Sequence, residues 1–240
     1  MALCDLRPAE LDSTVAELRQ GGGSASGHPL DVTDRAAFVD VVEEIEQRLG
    51  GIDLLVNNAG VGYTGVALHE TPDADIDWVI DVNLRGVLNG IKAVVPSMVA
   101  RRHGHVLNVS SMSGLAVPEG IQHGLYGATK AAVVFLSEGL RQDVAPFGVG
   151  VSVLCPGYVR SNLPWSATYR TSRHGGPSSR APSAAVLQAM QRAMDPRVVG
   201  EIAVDAIEKD RFLILTDRGE VGDVRNWHAR QSTAIDELGD

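Results

Sequence analysis

The chain has 240 residues, enough for one sizeable core, and a single domain spanning 1–240 is expected. Hydrophobic residues make up 44% and charged residues 21%, as in a soluble globular protein, and the net charge of −9 argues against a nucleic-acid partner. No apolar run is long enough to span a bilayer, and no basic segment leading into an apolar stretch opens the chain, so neither membrane insertion nor secretion is expected.

In chain order, residues 1–6 read as the end of a strand. Pro8 then opens a helix over 8–20, because proline suits the first helical position, and Gly21-Gly22-Gly23 ends it. A short strand is predicted at 28–32. Thr33 or Asp34 caps the next helix, which Gly50-Gly51 breaks after Leu49. The apolar run 52–56 has strand length and the pattern of a strand covered on both faces. Residues 73–102 form a long helical stretch with a break near Asn83. A strand follows at 105–109, then the helix carrying Tyr126 and Lys130, ended by Gly148, and a strand at 150–154. Residues 158–182 are rich in Ser, Arg, Gly and Pro without a period, and 158–195 is read as a lid over a site. A helix at 196–209, a strand at 211–215 and a helical stretch to about 238 complete the chain.

Strands alternating with helices predict a doubly wound α/β fold with a parallel sheet. Ligands bind beyond the carboxyl ends of such strands, where Asp5, Asn57, Ser110, Ser111 and Pro156-Gly157 all fall. Cys4 and Cys155 lie in apolar strand-like runs and read as buried thiols of a reducing, cytoplasmic compartment. His103-Gly104-His105 has no Cys or carboxylate cluster beside it, and no metal site is expected.

Tyr126 and Lys130 are four residues apart and share one helix face. A tyrosine is a poor base at neutral pH, but a nearby ammonium favours its phenolate, so the pair suits acid/base work. Asn57-Asn58-Ala59-Gly60 either merely ends a strand or lets backbone approach a flat ligand while its amides brace neighbouring strands. Ser110-Ser111-Met112-Ser113-Gly114 is either a serine-rich turn or aims a hydroxyl at a substrate oxygen. It lacks the Gly-x-Ser-x-Gly elbow, and no histidine is placed to serve Ser111 as a hydrolase nucleophile. Asn83 is a poor mid-helix residue; it marks either a solvated face or a local break holding a water.

These segments, with Pro156-Gly157-Tyr158-Val159-Arg160-Ser161 after them, occur in the order found in the short-chain dehydrogenase/reductase family, which the chain resembles from Ala2 to about Thr216. The resemblance implies a Rossmann-like sheet and hydride transfer between NAD(P) and an alcohol or ketone. It implies Tyr126 as acid/base, with Lys130 lowering its pKa and holding the nicotinamide ribose. Ser111, or alternatively Ser113, steadies the substrate oxygen, and Asn83 holds a water in a proton relay. Asp5 stands where NAD-preferring members carry an acidic residue that repels a 2′-phosphate, while Arg7 beside it softens that repulsion and keeps NADP open. Asp31 and Val32 match the adenine contact. Asn57, Ala59 and Gly60, with Pro156, Gly157, Val159 and Ser161, match further cofactor contacts. A homodimer or homotetramer is implied, packed through the helices around 77–98 and 126–147. The lid aromatics suggest a partly apolar substrate. Arg160, Arg170, Arg173 and Arg180 read either as carboxylate contacts or as solvated loop charges.

The family's opening strand and Thr-Gly-x-x-x-Gly-x-Gly turn, which cradles the pyrophosphate, are not found in these residues. Gly21-Gly22-Gly23 ends a helix and follows no strand. The expectation is therefore an N-terminally truncated chain lacking one central β-α unit. With strands ~4.8 Å apart, the loss leaves a slot of ~9.6 Å between the strands ending at Asp5 and Val56. An inactive oligomerisation module is the alternative reading.

Overall fold

A computed structural model describes residues 1–117, 120–217 and 221–238. The loop after Gly114 includes residues 118–119, outside the described residues. The strands are β1 (Ala2–Asp5), β2 (Ser26–Pro29), β3 (Leu54–Asn57), β4 (His105–Val109), β5 (Gly150–Cys155) and β6 (Leu213–Leu215). All pairings are parallel, and they form two sheets: β1-β2, and β3-β4-β5-β6. Helices α1 (Pro8–Gln20), α2 (Arg35–Leu49), α3 (Asp73–Ile80), α4 (Gly86–Arg101), α5 (Gly124–Val144), α6 (Ala184–Met190), α7 (Pro196–Glu208) and α8 (Val221–Asp236) alternate with them. This is the α/β Rossmann-like architecture expected from the strand–helix alternation. Among the described residues no helix is long and apolar enough to cross a membrane.

Local rules account for several boundaries. Asp34, not Thr33, caps α2: its carboxylate accepts from the Ala36 and Ala37 amides at 3.0 and 3.1 Å, and Gly50 ends the helix at φ 80°. The break near Asn83 is a π-helical turn over Asp81–Arg85 between α3 and α4. The second strand ends earlier than predicted, at Pro29, because Asp31 folds back to accept from the Thr33 amide and hydroxyl at 2.9 and 2.8 Å.

The main core lies on one side of the sheets. Phe38 and Val42 of α2, Val94, Val95 and Met98 of α4, and Leu140 and Val144 of α5 pack with Leu30, Val106 and Val151. On the other side α7 covers Leu107, Leu154 and Ile214, while Leu11 and Val15 of α1 pack against Leu3 and Ala25. The strand period of two sends Leu55 of β3 into the main core and turns Leu54 and Val56 the other way. Those two remain 44% and 46% exposed, so β3 is covered on one face, not both as its apolar run predicts. Cys4 is likewise exposed, not buried; only Cys155 is a buried thiol.

Candidate active site

The predicted residues of the second sheet meet at the carboxyl ends of β3, β4 and β5. Asn57 is chiefly a brace: its Nδ2 donates to Asn108 Oδ1 at 2.8 Å, Asn108 donates to Ser137 Oγ at 2.9 Å, and Ser137 donates to the Val133 carbonyl. This buried chain ties β3 to β4 and to α5. Beyond it, a Cβ at Gly60 would sit 3.3 Å from both Asn83 Oδ1 and Lys130 Nζ, a tight fit that glycine avoids.

Asn83 is fully buried. Its Oδ1 accepts from the Val61 amide at 2.7 Å, and its Nδ2 donates to the Val61 carbonyl at 3.0 Å and to Thr129 Oγ1 at 3.2 Å. The solvated-face reading fails, because the carboxamide stitches the π-turn to the loop after β3. The side chain is occupied, and the unwound turn leaves main-chain carbonyls as the groups that could meet a water.

Lys130 is 3% exposed and donates to the Val109 carbonyl at 3.0 Å. Its Nζ lies 5.9 Å from the centre of the Tyr126 ring. Burial pushes the ammonium down to about 8, while burial pushes the neighbouring Cys155 thiol up to about 11. Cys155 is therefore neutral at pH 7 and offers Lys130 no counter-charge. Tyr126 is buried among Val61, Tyr63, Trp78, Val79 and Leu125, and Leu163 and Ala167 of the lid pack on the same cluster.

Ser111 caps a short 3₁₀ turn, its Oγ accepting from the Ser113 amide at 3.1 Å. Ser110, unassigned by motif reading, donates to the Lys130 carbonyl at 2.7 Å and pins that helix turn to β4. His123 also escaped the sequence analysis. It is buried 5.9 Å from the Tyr126 ring, its Nδ1 is 3.5 Å from Ser113 Oγ, and burial lowers its pKa, favouring the neutral ring. Its place three residues before Tyr126, at the cap of the same helix, was the available signal.

The other predicted contacts lie around this centre. Asp5 accepts from the Arg7 amide and Nε at 2.8 and 3.3 Å, and the Arg7 guanidinium stacks 4.5 Å from the ring of Tyr169 in the lid. The Val32 carbonyl accepts from Asn89 at 2.8 Å. The Pro156 carbonyl accepts from the Met112 amide, and a side chain at Gly157 would collide with Asp217 at 2.7 Å. Val159 pairs with Met194, and Ser161 is exposed. Of the arginines considered above, Arg170 and Arg180 are not free charges: both pair with Asp75, Arg170 from a largely buried position and Arg180 from a more exposed one, and the role of Asp75 had no sequence signal beyond a helix start. Arg160 pairs with Asp195.

Comparison with known proteins bears on the family and the fold. The family model described as short chain dehydrogenase matches residues 1–170. C alpha-dehydrogenase of Sphingobium sp. is 35% identical over 220 residues, 90% of this chain and 71% of that protein. Oxidoreductase UcpA of Escherichia coli is 37% identical over 203 residues, 85% of this chain and 76% of that protein. A crystal structure of a short chain dehydrogenase/reductase from Burkholderia phymatum in complex with NAD superimposes with a TM-score of 0.87 at 32% identity, covering 97% of this chain and 85% of that one.

Proposed function

Because this chain belongs to the short-chain dehydrogenase family, we propose that it interconverts an alcohol and a ketone by nicotinamide-dependent hydride transfer, with Tyr126 as acid/base. The observation that carries this reading is the buried Lys130 ammonium beside Tyr126, under a Gly60 backbone that admits close approach. These residues fit the nicotinamide end of a dinucleotide: Lys130 would hold the ribose, and Gly60, Ala59, Pro156, Gly157, Val159 and Ser161 would flank the ring. Asp5 would accept from the adenosine ribose hydroxyls, with Asp31 and Val32 at the adenine. The carboxylate supports NAD over NADP, although its pairing with Arg7 reduces the repulsion a 2′-phosphate would meet. Bound there, the cofactor supplies the hydride donor or acceptor.

The chain's own residues handle the proton. The Lys130 ammonium favours a negative Tyr126 oxygen by charge, in a site whose burial strengthens the attraction. Tyr126 takes the hydroxyl proton in oxidation and returns it in reduction. Ser111 would donate to the substrate oxygen as charge develops. Asn83 would act through the opened backbone of its turn, passing protons by way of a water to Lys130. The apolar surroundings of Tyr126 support a partly apolar substrate, and the pairing of Arg170 and Arg180 with Asp75 removes two cations that would otherwise suit a carboxylate.

A second reading, an inactive interaction module, draws support from Phe135, which is 85% exposed on α5. The same exposure suits a homodimer or homotetramer of an active enzyme, in the cytoplasmic setting the buried Cys155 thiol fits. Titration with NADH, followed by its fluorescence, separates the two. Saturable binding, with oxidation of 1-phenylethanol when NAD is supplied, is expected. No binding would leave the module.

A further inference from the structure

The lid is held down at several points, and one buried carboxylate gathers two of them. Asp75 lies in the first turn of α3 and is 7% exposed. Its Oδ2 accepts from the Tyr63 hydroxyl at 2.8 Å and from Arg180 Nη2 at 3.0 Å, and its Oδ1 accepts from Arg170 Nη1. Arg170 and Arg180 come from the lid, 95 and 105 residues away in sequence. Arg170 also donates Nε to the Gly176 carbonyl at 2.7 Å and lies 5.8 Å from the Trp78 ring, while Arg180 lies 4.9 Å from the Tyr63 ring. Just before Arg170, Leu163 and Ala167 form part of the apolar wall around Tyr126, and Ser166 Oγ accepts from the Gly62 amide at 3.0 Å.

We propose that Asp75 is a positioning residue that clasps the lid over the substrate side of the Tyr126 site. The proposal rests on the reading of that site as catalytic. Two guanidinium groups share one carboxylate. Removing its charge leaves both cations in a half-buried place without their anion, a costly state that the lid relieves by moving into water. The remaining ties are lighter: the Gly62–Ser166 hydrogen bond, the Arg7 guanidinium on the Tyr169 ring, and His174 on Asp81 at 3.0 Å, where Asp81 also holds Arg85. The clasp therefore sets whether Leu163 and Ala167 stand against a substrate. It does not alter the groups that move the proton.

Hydrogen exchange of the full chain, read by mass spectrometry on peptides covering 163–180, tests this without any substrate. In Asp75→Asn, lid amides should exchange at least tenfold faster while peptides of β4 and β5 exchange as in the parent. Arg180→Gln, at a more exposed position, should speed lid exchange by a smaller factor and guards against a folding failure of the first variant. Unchanged lid exchange in both variants, or equal acceleration in lid and core, would overturn the clasp. With NAD and 1-phenylethanol, Asp75→Asn should raise KM at least fivefold with kcat within threefold; a fall in kcat at unchanged KM would overturn the positioning role. A parent chain that oxidises no alcohol removes the catalytic reading and, with it, the positioning role, while exchange still decides whether Asp75 holds the lid.

Discussion

The two sheets of this protein are built on the same strand–helix repeat yet are finished differently. In the four-stranded sheet, β4 and β5 are covered on both faces, and the buried Asn57–Asn108–Ser137 chain locks strand to strand and strand to helix. The two-stranded sheet has α1 on one side and an exposed Cys4, and its buried polar contact, His28 with Ser26 and with Glu44 of α2, links strand to helix but not strand to strand. Helix α4 ties the two together: Gly86 lies against Val32, Asn89 donates to the Val32 carbonyl, and Gly90 lies against Asn57 and Phe38. Rigidity is concentrated where the proposed proton chemistry sits, and it reaches the adenosine side chiefly through one helix. The proposed proton transfer, which must hold Tyr126 and Lys130 to a fraction of an ångström, needs that bracing, whereas the proposed contact of one carboxylate with a ribose needs less.

Substitutions can break or sharpen this contrast. The largest effect is expected at Tyr126→Phe, which keeps the ring and removes the acid/base: turnover of 1-phenylethanol should fall by about 10²–10⁴ with an unchanged circular dichroism spectrum. Full activity in that variant would sink the assigned role. Next is Lys130→Met. With the folded pKa at about 8, below the ordinary 10.5, the unfolded chain binds a proton that the native state lacks between those values. Stability therefore rises with pH through that window, and below pH 8 the full burial penalty, ~3 kcal/mol, is present. The variant should gain most over the parent in urea midpoint at pH 7 and little at pH 10, while losing activity. A gain independent of pH would refute the buried charge.

Gly90→Ala is expected to cost about 1–3 kcal/mol by overpacking, since its new carbon would lie 2.2 Å from Asn57 Oδ1 and must displace the brace. Thermal unfolding of the variant gives the measure. The last pair sets the two kinds of strand face against each other with one substitution. Val106→Thr, fully buried in β4, should cost about 1–3 kcal/mol for its hydroxyl. Val56→Thr, half-exposed in β3, should stay within about 0.5 kcal/mol. Equal costs would mean that the open face of β3 is covered in solution.

Much of this was legible beforehand wherever the cause is local. Asp34 and Gly50 bound α2 by capping chemistry that acts within a turn, and the poor fit of Asn83 to a helix interior announced the π-turn. The Tyr126/Lys130 face follows from helical spacing alone. Illegible were facts that depend on what lies opposite a residue. An apolar alternation says that a strand has two faces but not whether both are covered, so β3 was misjudged. Arg170 and Arg180 looked like any loop arginines until Asp75 appeared between them.

The amino-acid sequence by itself determined the order of strands and helices, the caps, and the shared helix face of Tyr126 and Lys130, because these rest on periodicity and on bonds spanning a few residues. Only the tertiary structure decided that Asn83 spends its carboxamide on Val61, that Lys130 is buried beside a neutral thiol, and that one carboxylate pairs with both Arg170 and Arg180. Those outcomes come from burial and from pairings between residues tens of positions apart, and neither leaves a period or a spacing in the chain.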